Sequence, residues 1–188
     1  HVTQLVRGNT LLREFDDELT LSLRKSMEES GIDFRFGQSP VEIKGEIGDM
    51  NLFTASEECF SCGGVLLATG RRPFIQGLKL EAAGVNVSDG RITVDTNHAT
   101  NVPHISAVGD VCNRVNLTPV AIDEGRAFSD NIYADKLRNI DYNLVPKAVF
   151  SRPELAGVGL TEKQAYERHG KEKNKIFCSR IRPMSKSL

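Results

Sequence analysis

Two arginines near the start of the chain have the type and spacing to hold a phosphate group. Arg7 ends a short apolar stretch, and Arg13 follows six residues later, with no Asp or Glu between them. At the end of such a strand, an acidic residue would bind a ribose hydroxyl, whereas arginines bind a 2′-phosphate. The pair therefore predicts selection of NADP over NAD, and the alternative is two solvated surface arginines.

A second set of candidate ligand-binding residues lies in the segment 107–128, AVGDVCNRVNLTPVAIDEGRAF. A predicted apolar strand runs into Gly109 and Asp110, a pattern typical of a buried strand that presents a carboxylate to a ligand. Thr118 is predicted to be an N-cap and Pro119 the first helical residue, so that a helix begins there with unpaired N–H groups. The alternative is a turn aspartate next to an ordinary N-cap.

The spacing of Cys59 and Cys62 is that of a redox dithiol or of half a zinc site. A zinc site needs a second pair of ligands, and the sequence has no other C-x-x-C and no H-x-x-x-H. A redox pair normally opens a helix, which lowers the pKa of the thiol, whereas this pair precedes the apolar run at 65–68. We expect two incidental cysteines and no metal site.

Composition excludes several classes of protein. The 188 residues are 39% hydrophobic with a net charge of −1, and there is no basic excess of the kind that binds nucleic acid. No run of 18 or more apolar residues could span a membrane. The chain begins with His1 and already reads as a strand, without a signal peptide. We expect a cytoplasmic protein of one or two domains; a targeting segment upstream of His1 would change the compartment.

The elements that must position these residues alternate between strand and helix at the front of the chain, which predicts an open α/β sheet. Two helices have clear start signals: acidic residues open the first, and the pattern T-E-K-Q at 161–164 predicts a capping box for the last. The predicted helices are 17–30, 118 to about 136 and 161 to about 169, with a helical turn at 78–83. The predicted strands are 2–6, 32–36, 41–44, 51–55, 57–60, 65–68, 92–94, 105–108, 147–150, 155–160 and 176–179.

Three motifs resemble one enzyme family. The segment 65–73, VLLATGRRP, resembles the A-T-G-R-x-P junction of the flavoprotein disulfide reductases that bind two dinucleotides. Gly109-Asp110 with the L-T-P-V-A of 117–121 resembles the second flavin motif of that family. The VFS of 149–151 with the VGLTE of 158–162 resembles the first strand and helix of its interface domain. Their order and spacing extend the resemblance over essentially the whole chain.

The resemblance implies an α/β fold that is a partial two-dinucleotide-binding flavoprotein fold. Its predicted parts are the second half of an NADPH-binding domain (1–72), a central FAD-contacting segment (73–143) and the start of a dimerisation domain (144–188). The first flavin motif and the redox pair C-x-x-x-x-C of the family do not occur in this sequence. We therefore expect a fragment of a homodimeric enzyme, with no catalytic residue in this chain.

The resemblance also implies binding roles, and within the family it is greatest to the glutathione reductases, whose NADPH-selecting segment resembles Val6-Arg7 and Leu12–Asp16. Asp110 would accept hydrogen bonds from the ribityl chain of FAD, and the helix beginning at Thr118 would point at the N1/O2 edge of the flavin. There, its partial positive charge would stabilise the reduced ring. Arg126 resembles an arginine that contacts a carboxylate of glutathione. The residues implied on the NADPH side are Gly70, Asn116 and Ala148.

The function implied is reduction of glutathione disulfide by NADPH through FAD. Two alternatives remain open at this point: another NADPH-dependent disulfide or mercuric reductase of the same family, and a non-catalytic nucleotide-binding chain. The sequence upstream of His1 would separate the last from the enzymes, because only an enzyme needs a G-x-G-x-x-G/A followed by C-x-x-x-x-C.

Overall fold

The computed structural model describes residues 1–134, 136–179 and 181, which divide between two compact units. The first unit comprises residues 1–65 together with the chain from residue 146 onward, and the second comprises residues 66–145. The predicted three-part division at 72/73 and 143/144 differs from these limits by a few residues. That division refers to the domains of a longer protein, and it stays a prediction.

The first unit opens with a parallel strand–helix–strand motif. Strand β1 (Val2–Val6) pairs in parallel with β2 (Ile32–Phe36), and helix α1 (Asp17–Glu29) connects them. Helix α1 packs against β2, and each element buries one apolar side chain, Leu23 on the helix and Phe34 on the strand. All three elements confirm the spans predicted from the sequence to within one residue.

An antiparallel three-stranded sheet follows in the same unit. Its strands β3 (Pro40–Glu46), β4 (Asp49–Thr54) and β5 (Cys59–Cys62) pair in chain order. Later in the chain, β8 (Lys147–Val149) pairs with β9 (Leu155–Gly157), and helix α3 (Glu162–His169) begins at the predicted capping box of Thr161 and Gln164.

The second unit is built on a small hydrophobic core beside one long helix. The two-residue strands β6 (Val87–Ser88) and β7 (Arg91–Ile92) pair with each other, a 3-10 helix spans Gly109–Cys112, and α2 spans Thr118–Tyr133. The predicted turn at 78–83 is a series of backbone turns. The buried core residues are Val85, Ile92, Ala107 and Cys112. The mixed α/β class predicted from the sequence is confirmed.

Three predicted strands are absent from the described residues. The segment 65–68 has no paired strand there, and Leu66 and Leu67 are 91% and 65% exposed. The segment 176–179 is irregular as well. The segment 105–108 contributes only a bridge between Ser106 and Ala99, because its neighbouring backbone groups bond within turns. Apolar composition predicts burial, but a strand also needs a partner for its backbone groups.

One predicted helix boundary is also wrong by a residue. Leu117, with φ −129 and ψ 135, is the N-cap of α2, and Thr118 is already helical. The carbonyl of Leu117 accepts the hydrogen bond of the Ala121 N–H, which is the first bond of the helix. Pro119 is tolerated in this first turn because its missing N–H would have had no partner within the helix.

Candidate functional site

Both predicted phosphate-binding arginines lie at the end of β1. Arg7 follows the strand directly and is exposed. The guanidinium of Arg13 lies beside the backbone of Gly8, so close that a β-carbon added to Gly8 would be 3.3 Å from Nη2. The loop between them turns at Leu12, whose φ of 49° is in the left-handed region that non-glycine residues rarely adopt. The chain therefore folds back and brings Arg13 to the strand end.

The positive charge at this strand end is not neutralised within the described part of the chain. Neither arginine takes part in an ion pair or a side-chain hydrogen bond there. Their acidic neighbours bind elsewhere: Glu14 pairs with Lys147, and Asp16 Oδ1 accepts a hydrogen bond from the Glu162 N–H at 2.6 Å. Neither guanidinium group therefore has a partner among the described residues that an anion would have to displace.

In the second unit, the structure brings Asp110 next to the Ala-Thr-Gly-Arg segment. Asp110 lies in the 3-10 helix with its side chain 45% exposed, and its Oδ2 is 3.7 Å from a guanidinium nitrogen of Arg71. Gly70, directly before Arg71, is exposed and has φ +117. A half-exposed carboxylate of this kind can accept hydrogen bonds from the hydroxyl groups of a bound ligand.

The N-terminus of α2 is open to a ligand. Leu117 makes no side-chain capping bond, and the first turn contains no acidic residue. Thr118 and Pro119 are exposed. Uncapped N–H groups and the helix dipole together give this end a partial positive charge. Asn116, just before it, donates from Nδ2 to Asn113 Oδ1 at 2.7 Å. The predicted contacts of Asp110 and of this helix end with a flavin stay predictions.

Two further predicted site residues are exposed in the structure. Ala148 is exposed on β8 opposite Ala156, at a shallow cavity of about 340 Å³. Arg126 is exposed on α2 and has no ion-pair partner among residues 1–134, 136–179 and 181. Arg7, Arg13 and Ala148 belong to the first unit, and Gly70, Asp110, Asn116, Thr118 and Arg126 belong to the second.

The second unit contains a buried polar cluster that was not predicted from the sequence. Glu124, 1% exposed, accepts hydrogen bonds from the Gly109 N–H (2.5 Å) and from the Tyr142 hydroxyl (2.7 Å). Arg114 donates to the same hydroxyl at 3.1 Å, and His98 Nε2 lies 3.3 Å from it. The signal was present in α2, where the buried residues Val120, Glu124 and Ala127 recur at helical spacing. A carboxylate on an otherwise apolar face predicts a buried partner.

Burial in this cluster raises the pKa values of two side chains, those of Cys112 and Tyr142. Burial and the nearby Glu124 carboxylate raise the pKa of the Cys112 thiol to about 11. Burial also raises the pKa of Tyr142, whose hydroxyl therefore remains a donor to Glu124. Both effects keep the groups protonated at neutral pH, so neither is a nucleophile or a base.

Cys59 and Cys62 lie at opposite ends of β5. Side chains of a strand alternate between its faces, so positions three apart point to opposite faces. The two thiols therefore cannot form a disulfide while the strand is intact. Among the described residues, no cluster of three or more His, Cys, Asp or Glu side chains could hold a metal ion. No helix in the same part of the chain has the length and apolarity to cross a membrane.

The chain is similar to known proteins over almost its full length. Residues 1–125 match the family model described as pyridine nucleotide-disulphide oxidoreductase. The chain is 43% identical to glutathione reductase of Burkholderia cepacia over 189 residues and 43% identical to the chloroplastic/mitochondrial glutathione reductase of Pisum sativum. It is 38% identical to trypanothione reductase of Trypanosoma congolense.

A solved structure has the same fold. The HOCl-induced flavoprotein disulfide reductase RclA of Escherichia coli superposes with a TM-score of 0.81 at 27% identity, over 88% of this chain and 38% of that one. The match covers all of this chain and 42% of the Burkholderia protein, and 97% of this chain and 33% of the Pisum protein. For the Trypanosoma protein, the shares are 100% and 38%. The chain thus spans well under half the length of these relatives.

Proposed function

The chain belongs to the pyridine nucleotide-disulphide oxidoreductase family, and we propose that it forms part of an NADPH-dependent flavoprotein that reduces glutathione disulfide to glutathione. The family typically uses FAD and NAD(P)H. The observation that carries the proposal is the pair of arginines without internal partners at the end of β1.

The two arginines favour the phosphorylated nucleotide on electrostatic grounds. Arg7 and Arg13 supply two guanidinium groups at one strand end, where the 2′-phosphate of NADPH would lie. A charge-assisted hydrogen bond contributes about 1.5–3 kcal/mol, so two give about 3–6 kcal/mol before solvent screening. Both groups are exposed, and screening reduces the value toward its lower end. A preference for NADPH over NADH on the order of 100-fold follows from about 1.4 kcal/mol per factor of ten.

The second unit would bind the flavin. FAD, when bound, supplies the route by which electrons pass from NADPH to a disulfide. Asp110 would accept hydrogen bonds from the ribityl hydroxyls. The uncapped first turn of α2, at Thr118, stabilises negative charge placed next to it, and Asn116 precedes that turn. Gly70 and Ala148, each exposed within its own unit, are proposed contacts of NADPH in the full-length protein.

Arg126 supports glutathione disulfide as the substrate. It is an exposed cation on α2, without an ion-pair partner in the described residues. A free guanidinium favours a substrate that carries carboxylates, as glutathione does. The similarity to a trypanothione reductase adds a second candidate substrate, the disulfide after which that enzyme is named.

The test is a kinetic comparison of the two nucleotides in the full-length protein. Replacing Arg7 and Arg13 together with Ala should raise the Michaelis constant for NADPH by about 100-fold and leave the constant for NADH nearly unchanged. The assay follows the oxidation of each nucleotide with glutathione disulfide as acceptor. A Gly8→Val variant should have the same effect in weaker form, because its side chain would displace the Arg13 guanidinium.

The matched control is Arg35→Ala on β2, where an exposed arginine pairs with Asp33. It removes a positive charge from the same small sheet, at a residue that pairs in register with Leu5 and already has an acidic partner, and it should leave both constants unchanged. If the double variant keeps its preference for NADPH, the two arginines are solvated surface residues. If the wild-type protein oxidises NADPH with no dependence on glutathione disulfide, the proposed substrate is wrong.

A further inference from the structure

The side chain of Glu124 projects from the buried face of α2 toward the loop that contains Asp110. Its Oε2 accepts a hydrogen bond from the backbone N–H of Gly109 at 2.5 Å, and its Oε1 accepts one from the Tyr142 hydroxyl at 2.7 Å. The residue is 1% exposed. Burial of a carboxylate is unfavourable unless its oxygens are paired, and these two bonds pair both oxygens.

Gly109 is held against α2 by packing as well as by this bond. Its φ is +77°, and a β-carbon added to it would lie 3.3 Å from the β-carbon of Ala121, which precedes Glu124 by one turn of the helix. Only glycine combines this backbone conformation with so close an approach. The start of loop 109–118, which runs from the 3-10 helix to the first residue of α2, is thus attached to the helix at two points.

Separate hydrogen bonds from Arg114 hold the middle of the same loop. Arg114 Nη1 donates to the Tyr142 hydroxyl at 3.1 Å, and Nη2 donates to the carbonyl oxygen of Val94 at 3.0 Å and to that of Asp95. The guanidinium also lies 5.4 Å from the centre of the Tyr142 ring. Tyr142 therefore links the start of the loop to its middle, because its hydroxyl donates to Glu124 and accepts from Arg114.

We propose that Glu124 is a positioning residue for flavin binding, which acts through the Gly109 N–H and, by way of Tyr142, through Arg114. The inference rests on the proposed function, since it takes Asp110 and the first turn of α2 as the flavin contacts. Both contacts lie on loop 109–118 or at its end, and neither is touched by Glu124 itself. The carboxylate holds the loop in its binding shape before the ligand arrives, which lowers the entropic cost of binding.

The substitution Glu124→Gln separates geometry from charge. A glutamine keeps an oxygen that can accept from the Gly109 N–H, and its amide can donate to the Tyr142 hydroxyl oxygen. Glu124→Ala removes both bonds. Tyr142→Phe keeps the carboxylate and its bond to Gly109 and removes the hydroxyl that links Glu124 to Arg114 and to His98. Asp123→Ala is the matched control, because this neighbouring carboxylate pairs with Arg138 and makes no bond to the loop.

The experiment uses the full-length protein loaded with FAD and measures three properties of each variant. These are the rate of FAD release, followed by flavin fluorescence, the midpoint potential of the bound flavin, and the unfolding temperature of the FAD-free protein. Glu124→Ala should release FAD at least about tenfold faster, the loss expected for one hydrogen bond to a charged group. Its flavin potential should fall, because a loosened first turn of α2 stabilises the reduced ring less.

The other variants complete the expected pattern. Glu124→Gln should stay within about threefold of the wild-type release rate, since it retains the acceptor. Tyr142→Phe should lie between the two Glu124 variants, and Asp123→Ala should match the wild type. Where Glu124→Ala yields no soluble protein, Tyr142→Phe decides the question.

Three outcomes would overturn the inference. The first is equal FAD release from Glu124→Ala, Tyr142→Phe and Asp123→Ala. The second is a lowered unfolding temperature with unchanged release and potential, which would assign Glu124 a purely structural role. The third is a wild-type protein that retains no FAD at all, and this result alone would also refute the proposed function.

Discussion

His98 is the residue of the buried cluster whose charge depends most on pH near neutrality. It is 2% exposed, and its Nε2 lies 3.3 Å from the Tyr142 hydroxyl and 3.9 Å from Glu124 Oε1. Its Nδ1 has no hydrogen-bond partner among the described residues. Burial lowers the pKa of His98 below its usual 6.5, and Arg114 lowers it further, whereas Glu124 and Asp95 oppose the shift. The folded protein therefore keeps the ring neutral.

We predict a loss of stability in mild acid that depends on His98. Because its pKa is lower in the folded state, the unfolded chain binds more protons between the two pKa values, and stability rises with pH there. The stabilisation is complete above the unfolded value and is lost as pH falls below about 6.5. Thermal unfolding of the full-length protein at about pH 7.5 and pH 5.5 should reveal a smaller acid loss in His98→Gln than in the wild type.

The control for this prediction is His104→Gln, which changes an exposed histidine of the same unit. It should lose as much stability in acid as the wild type does. Equal acid losses in the wild type and His98→Gln would show that protonation of His98 does not contribute to the acid sensitivity.

At the scale of elements, the short segment 14–18 connects β1 and α1 to the later part of the first unit. Asp16 is the N-cap of α1, and its backbone carbonyl accepts the N–H of Thr20, but its side chain makes no capping bond to that helix. Its Oδ1 instead accepts the N–H of Glu162, the first residue of α3. The ring of Phe15 lies 3.4 Å from where a β-carbon on Gly157 would be. The remaining contacts of the segment are Glu14 with Lys147 and Glu18 with the Cys178 thiol.

Asp16 is therefore predicted to stabilise α3 more than α1. Loss of a capping carboxylate costs about 0.5–2 kcal/mol, so Asp16→Ala should speed amide exchange in α3 by about 2- to 30-fold. Asp16→Asn keeps an acceptor oxygen and should restore most of the protection. Asp17→Ala, at the first turn of α1, should leave exchange in α3 unchanged. Faster exchange confined to α1 in the Asp16→Ala variant would contradict the assignment.

The elements that the sequence predicted well are those whose signals are local. β1, α1 and β2 pair and pack with one another within 36 residues, and the capping box of Thr161 and Gln164 is a four-residue pattern. The strand predicted at 65–68 is absent because an apolar run indicates burial but does not indicate which strand, if any, lies beside it. Glu124 was missed because its partners, Gly109 and Tyr142, are 15 and 18 residues away along the chain.

For the whole molecule, the four cysteines decide whether this chain alone can exchange disulfides. Cys59 and Cys62 point to opposite faces of β5, and Cys112 is buried with a pKa of about 11. A hydrogen bond to the Glu18 carboxylate raises the pKa of the exposed Cys178 thiol. Disulfide exchange by a redox pair needs two thiols that can reach each other, and the described residues hold no such pair.

We therefore predict that the 188-residue polypeptide, purified and supplied with FAD and NADPH, does not reduce glutathione disulfide. The measurement is NADPH absorbance with and without glutathione disulfide, and free thiols are titrated in parallel. The control is the full-length protein under the same conditions, which should oxidise NADPH only when the disulfide is present. Disulfide-dependent NADPH consumption by the 188-residue polypeptide would show that one of its own cysteines takes part.

The loop from Arg7 to Arg13 has a consequence for how such a protein can evolve. None of its seven residues is buried, and Arg13 contacts its surroundings at the backbone of Gly8. Substitution of either exposed arginine removes no buried side chain from β1 or α1, so nucleotide preference can drift in a lineage at little cost to folding. The Glu124 cluster is the opposite case, because each of its members is held by several others. Mutational tolerance is therefore high where the nucleotide would be chosen and low where the flavin would be held.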